Sequence, residues 1–346
     1  MHQLLLEGLF LDLELWATQL HGKKLASIYF GGGTPALLGP AAISSILDKV
    51  KTIIPYNNSI EITLEANPET ITPDVMRAFG SAGINRISIG VQTLDDALLT
   101  KLGRTHHAAT AINAVEATAA SGLTNISIDL MYDVPGQTLA SWKNTLHRVG
   151  ELPITHLSLY NLTIEPHTVF FKYREKLQKE VPDADTSAGM YLAAIESMAE
   201  YGLEQYEISA FTKNGLYSRH NVGYWTGRPF LGFGPSAFSY WEMKRFRAVA
   251  HLHRYVQALR EKRTPIDFSE ELTPVQRRRE LLAIAIRLRC GVDLQAFENR
   301  NGQLDTDVYK ALDKLQEDGL VEKKGHCVAL TDHGVLFYDT VAVDLV

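Results

Sequence analysis

The side chains best able to do chemistry recur at one kind of place in this sequence. Gly31, Gly32, Gly33 and Thr34 follow the run LASIYF (25–30), and Glu65 ends SIEITLE (59–65). Gln92 follows RISIGV (86–91), Asp129 sits near the end of NISIDLM (125–131), Asn161 closes THLSLYNL (155–162), and Glu207 lies in EQYEISA (204–210). Short runs rich in β-branched and apolar residues predict strands. Glycines after the first strand permit positive φ and close approach, so their N–H groups can meet a carboxylate or phosphate. GGGTP is not a Walker A loop, because no GK[ST] follows it. Any one of these residues could cap a helix or satisfy a loop. Five or six at matching places point to a site.

A second cluster lies in SRHNVGYWTGRPFLG (218–232), expected to be a loop after the last strand. His220, Tyr224 and Trp225 fall within six positions. Imidazole is a good iron ligand, and aromatic faces suit a flat macrocycle. A histidine there serves either that role or a local hydrogen bond that orders the loop. Lys244, Arg245, Arg247, Arg254, Arg260, Lys262 and Arg263 follow, as carboxylate-binding cations or as a solvated face. GFGPSA (232–237) matches GxGxxA only superficially. Pro235 removes a donor that a dinucleotide loop needs, and no βαβ unit surrounds it.

The elements that must position these residues alternate. Between the strands lie helix-like stretches such as AAISSILDKVKTI, ITPDVMRAFGSAG and TAINAVEATAASG. Alternating strands and helices imply βα units and a parallel sheet. Six such strands make an open sheet or most of a barrel, whose chemistry sits at the carboxyl ends of the strands. After about residue 265 the pattern becomes helix, turn, helix, Gly319, strand, a turn at Lys324-Gly325, strand and a last helix. That order is winged-helix-like. The expected division is a partial βα barrel over 1–210, a connecting region over 211–265 and a C-terminal domain over 266–346.

The bulk numbers bound the function. The chain has 346 residues, 45% of them hydrophobic and 21% charged, as in ordinary globular proteins. A net charge of −6 argues against a general polyanion binder. Arg277, Arg278 and Arg279 in the tail are offset by Glu280, Glu317 and Asp318, so no nucleic-acid partner is expected. No apolar run reaches the length of a membrane span. The start is apolar but carries Glu7, Asp12 and Glu14, and reads as an amphipathic helix rather than a signal peptide. Only Cys290 and Cys327 are present, so there is neither a disulfide framework nor a CxxC-type metal site. The cytoplasm is the expected compartment.

The motifs GGGTP, LEANPE, NRISIGVQT, LGRTH, IDLMYDVPGQT and LYNLTIEPHT occur in the order seen in the radical-SAM, oxygen-independent coproporphyrinogen III oxidase-like family, as do RHNVGYW and LGFGPSAFSY. The chain resembles that family over nearly its whole length, and HNxxYW resembles its haem-chaperone branch. The resemblance implies an α/β fold: a partial (β/α)6 radical-SAM barrel, here with its first strand missing, and a C-terminal winged-helix-like domain. Family members begin with a strand and a CxxxCxxC loop whose thiolates bind [4Fe–4S], with S-adenosylmethionine (SAM) on the fourth iron. That segment is absent here, so no metal ligand is expected in this chain. The retained pocket motifs favour a shortened start over a degenerate protein.

By position, the resemblance assigns Gly32, Gly33, Thr34, Glu65, Gln92, Arg104 and Asp129 to SAM, and His220 to haem. Carboxylates suit an ammonium and ribose hydroxyls, and an arginine can fork onto a carboxylate. Two departures stand out: Asp133 replaces a glycine before VPGQT, and Phe238 a histidine in GPSAHS. The implied function is that of a haem chaperone, non-enzymatic, which passes haem to acceptor haemoproteins such as respiratory enzymes and meets membranes only through them. The alternative is oxygen-independent coproporphyrinogen III dehydrogenation, which needs the cluster to cleave SAM.

Overall fold

A computed structural model describes residues 1–57, 59–166 and 168–346. By contact, the chain divides into two compact units, one comprising residues 28–40 and 61–217, the other 1–27, 41–60 and 218–346.

The first unit is built on a seven-stranded curled sheet: β1 (Ser27–Phe30), β2 (Glu61–Ala66), β3 (Arg86–Gln92), β4 (Ile126–Tyr132), β5 (His156–Asn161), β6 (Glu204–Glu207) and β7 (Ala210–Thr212), in the order β1-β2-β3-β4-β5-β7-β6. Strands β2 to β5 run parallel. This is the expected parallel-rich half-barrel, with one difference at its end. The run 204–210, read as a single strand, turns at Ile208 and Ser209 into two, and β7 pairs antiparallel to both β5 and β6. The Ser209 carbonyl still accepts from Leu159 N–H, so the turn itself is tied to β5.

Strand alternation sorts the side chains onto two faces. Ile62, Leu64, Ile87, Ile89, Ile126, Ile128, Leu157 and Leu159 are buried on one face, where helices such as Ala108–Ala120 pack. The other face carries Glu61, Thr63, Glu65, Arg86, Ser88, Ser127, Asp129, His156 and Ser158. Barrel interiors are usually filled with branched apolar residues.

The second unit has two small antiparallel sheets. One is β8 (Phe238–Trp241), β9 (Lys244–Ala248) and β10 (Ile266–Glu271). The amphipathic first helix, His2–Leu20, packs here: Trp16 stacks on Phe246 and meets Trp241 edge-on. Gly8 lets that helix lie against Leu252–Arg260, because a Cβ there would come 2.8 Å from the Tyr255 ring. The other sheet is β11 (Val292–Asp293), β12 (Val321–Lys324) and β13 (Cys327–Leu330), in the order β11-β13-β12. The order of helix, short strand, two helices and hairpin is the expected winged-helix-like one. Among the described residues no helix is long and apolar enough to cross a membrane.

Candidate functional site

The carboxyl ends of β1 to β4 converge on two acids. The Tyr29 hydroxyl donates to Glu65 Oε1 at 2.7 Å, and Gly32 N–H donates to Oε2 at 3.1 Å. Gly31 must lack a side chain, since a Cβ would lie 2.6 Å from the Tyr29 ring and 3.0 Å from Glu65 Oε1. Gly32 and Gly33 adopt φ of 79° and 69°, which favours glycine, and nothing lies within 4 Å of where their Cβ atoms would be. The loop is thus an open cradle of backbone above a fixed carboxylate.

Asp129 occupies the concave face nearby. Its Oδ1 accepts from the Ser88 hydroxyl at 3.2 Å, and Ser158 also hydrogen-bonds it. Its side chain is half-buried among these groups. This burial pushes its carboxyl up to about 6; the Ser158 hydroxyl and the Arg86 charge oppose the shift, and Glu65 adds to it.

Thr34, Asn67 and Gln92 form a second group. Asn67 Nδ2 donates to Thr34 Oγ1 at 3.3 Å. A methyl on Gly90 would meet both the Gln92 amide and Asn67 Oδ1. Gln92 sits at φ 67° where β3 shifts register, a conformation that turns a non-glycine residue out of the ladder.

Of the SAM-assigned residues, Gly32, Glu65 and Asp129 meet the concave face directly, and Thr34 and Gln92 flank it. Arg104 is exposed on the turn after the helix Asp96–Lys101, and the carboxylate it neighbours is Glu69. Burial raises Glu69, but the Thr105 hydroxyl, His106 and Arg104 outweigh it and hold the carboxyl below its usual range. Asn161 turns elsewhere: its amide donates to Asp133 Oδ2 at 2.6 Å, joined by the Ser187 hydroxyl. Asp133 has φ 60°, which explains why a glycine suits that position and how aspartate is tolerated there. Glu207 is buried at the end of β6.

Four partners are not evident from the sequence: Tyr29, Asn67, Ser88 and Ser158. Their signal is present, since Ser88 and Ser158 stand on the same strand face as the acids. A serine in a strand simply carries no specific chemistry until its neighbour is known.

The HNxxYW segment is a helix, Arg219–Trp225, and not a loop; Ser218 caps it by accepting from Asn221 N–H. One helical turn brings His220 Nε2 to the Tyr224 hydroxyl at 2.8 Å, and Nδ1 is hydrogen-bonded to Ser27 Oγ at 3.1 Å. Both ring nitrogens are engaged. Tyr224 meets Phe230 edge-on, and the Arg287 guanidinium lies 4.3 Å from the centre of the Trp225 ring.

The basic run beyond β8 is mostly neutralised. Lys244 pairs with Glu271, Arg245 with Glu270 and Glu280, Arg247 with Asp267, Arg260 with Glu7, and Arg263 with Glu261. The glycines of GFGPSA serve packing: Gly234 N–H donates to the Tyr255 hydroxyl, and a Cβ on Gly232 would strike the Phe238 carbonyl. Among the described residues no three metal-ligating side chains cluster.

Comparison with known proteins agrees along the chain. The Radical SAM superfamily profile matches residues 11–149, and the HemN C-terminal domain profile matches residues 272–337. The heme chaperone HemW of Bacillus subtilis (strain 168) is 33% identical over 319 residues, 92% of this chain and 84% of that protein. Its counterpart from Haemophilus influenzae is 34% identical over 339 residues, 96% and 86% of the two chains. Among solved structures, coproporphyrinogen III oxidase (HemN) from Escherichia coli superposes with a TM-score of 0.86 at 23% identity, covering 99% of this chain and 83% of that one. That superposition carries the fold. The identity to HemW proteins over more than four-fifths of their length carries the family: the chain belongs to the HemW family of the radical SAM superfamily.

Proposed function

We propose that this protein is a haem chaperone of the cytoplasm, which binds haem and passes it to acceptor haemoproteins, and that its half-barrel carries a SAM pocket. The single observation behind the chaperone reading is the similarity to two HemW proteins over most of both chains. The HNxxYW helix supports it further, with an imidazole one turn from a tyrosine and beside a tryptophan. Membrane contact, on this reading, comes through the acceptor.

In the SAM pocket, Glu65 and Asp129 face a ligand's ammonium and ribose hydroxyls, and the Gly32–Gly33 backbone its carboxylate. The residues fit: the cradle is open, the two acids converge, and a side chain at Gly31 would close the space. Thr34, Gln92 and Arg104 belong to the rim on this reading. SAM bound there would be a source of charge and of reactive carbon–sulfur bonds. A [4Fe–4S] cluster does not fit this chain as it stands. Its two cysteines, both free, lie at 290 and 327, and the half-barrel strands contain none.

Titrating the chain with haem, and then adding an apo-haemoprotein, tests the function. The expected result is stoichiometric binding with a Soret band, followed by loss of haem to the acceptor and no conversion of coproporphyrinogen. Porphyrinogen turnover without stable haem binding would refute the chaperone reading.

A further inference from the structure

The concave face of the half-barrel holds a charge that the proposed pocket does not use. Arg86, the first residue of β3, is 2% exposed. Its Nε has no hydrogen-bond partner among the described residues. The same is true of Oγ1 of Thr63, its fully buried neighbour across the β2–β3 ladder. A buried guanidinium is costly unless opposite charge lies near it. Here the nearby negative charge includes Glu61, two residues before Thr63 on the same face, and the site's own Glu65 and Asp129. Arg86 stands two residues before Ser88, the residue that holds Asp129 and that pairs in register with Glu65. Its charge is felt at Asp129, Tyr29 and His156.

We infer that Arg86 is a positioning residue for Asp129: from beneath, it supplies the counter-charge that lets Asp129 carry its charge beside Glu65, and so sets the pocket's preference for a positively charged ligand. The ligand half of this inference rests on the SAM reading of the pocket; the effect of Arg86 on Asp129 does not.

Two nearby carboxylates resist joint ionisation, because each disfavours charge on the other. Hydrogen bonds from Ser88 and Ser158 relieve part of that cost at Asp129. The remaining titratable groups on this face are Tyr29 from β1, Glu61 from β2, Tyr160 from β5, Glu207 from β6, whose charge acts on Tyr160, and, deeper, His156, which burial and Arg86 together keep neutral. Of all these only Arg86 carries positive charge. Without it, Asp129 would hold its proton near neutral pH. A sulfonium or ammonium would then face one anion instead of two.

The test compares the parent chain with Arg86→Met and Arg86→Lys. The carboxyl carbon resonance of Asp129 is followed from about pH 4 to about pH 9, and SAM binding is measured by calorimetry at neutral and alkaline pH. 5′-Methylthioadenosine, which lacks both the ammonium and the sulfonium charge, is the comparison ligand. In Arg86→Met the Asp129 midpoint should rise by about one unit or more, and SAM affinity near neutrality should fall about tenfold and recover at alkaline pH. The neutral thioadenosine should change less, and Arg86→Lys should restore the parental behaviour. An unchanged Asp129 midpoint in Arg86→Met would overturn the inference. Should that variant fail to fold, Arg86→Gln, neutral but able to reach Thr63, decides on the same two outcomes. A parent chain that binds no SAM, while Asp129 still responds to Arg86, would remove the SAM reading and leave the counter-charge role standing.

Discussion

Single side chains set what each site can hold. Asp129 accepts hydroxyl hydrogen bonds and keeps its carboxyl near 6, so a cationic ligand should bind more tightly as pH rises through that value. Asp129→Ala should weaken SAM binding by on the order of ten- to a hundredfold, the worth of a charge-assisted hydrogen bond, while the exposed Lys179→Ala leaves it unchanged. Equal affinities by calorimetry would remove Asp129 from the pocket. His220 poses a different question, because Ser27 and Tyr224 occupy both its ring nitrogens. An iron ligand needs a free nitrogen lone pair. Tyr224→Phe removes the hydroxyl that engages Nε2, so haem titration should show tighter binding and a shifted Soret band, whereas His220→Ala should lower binding. If His220→Gln kept haem with an unchanged spectrum, the imidazole would be only a structural hydrogen-bond partner.

Among the elements, the first helix is held by a buried acid. Asp12 is 3% exposed and accepts from the Tyr255 hydroxyl at 2.6 Å, and Tyr255 accepts from Gly234 N–H. Burial pushes the Asp12 carboxyl up to about 6 against the pull of these bonds. Its folded-state pKa therefore exceeds the ordinary aspartate value. Folding takes up a proton between the two values, so the contribution of Asp12 to stability is fully present below its unfolded value and is lost as pH rises through about 6. A shift of about two units is worth on the order of 3 kcal/mol. Asp12→Asn should flatten this dependence and raise the melting temperature at neutral pH more than at pH 5. Thermal melts across that range check it; a parallel loss of stability at every pH would show that the hydrogen bond to Tyr255 outweighs the buried charge.

At the scale of the whole molecule, the pocket proposed for SAM stands in a half-barrel whose strands contain no cysteine to hold iron beside it. Cys290 and Cys327 belong to the C-terminal sheet region, where Cys327 Sγ lies 3.6 Å from the Cys290 carbonyl oxygen. Two thiols fall short of the three or four that such clusters require. Anaerobic reconstitution of this chain with iron and sulfide should leave no stable [4Fe–4S], and Cys290→Ser with Cys327→Ser should leave haem binding intact. Four irons per chain with the matching charge-transfer absorbance would contradict this.

The sequence by itself determined the strand–helix alternation, the glycine cradle and the acids at the strand ends, because period-two patterning and positive-φ glycines are local properties. It also determined the family, through motifs spread along the chain in fixed order. Tertiary structure decided what those motifs touch. Nothing local in RISIGV says that Ser88 will hold Asp129, or that Arg86 will be buried near it, since both facts depend on the register between strands far apart in the chain. Nor does any pattern couple Asp12 to Tyr255 across 243 residues. The single run 204–210 became a hairpin, and HNxxYW a capped helix, because pairing with β5 and the Ser218 cap outweighed local appearance. Arg104 faced Glu69 for the same kind of reason: a side chain's partner is set by the turn that carries it, and a motif records only the residue type.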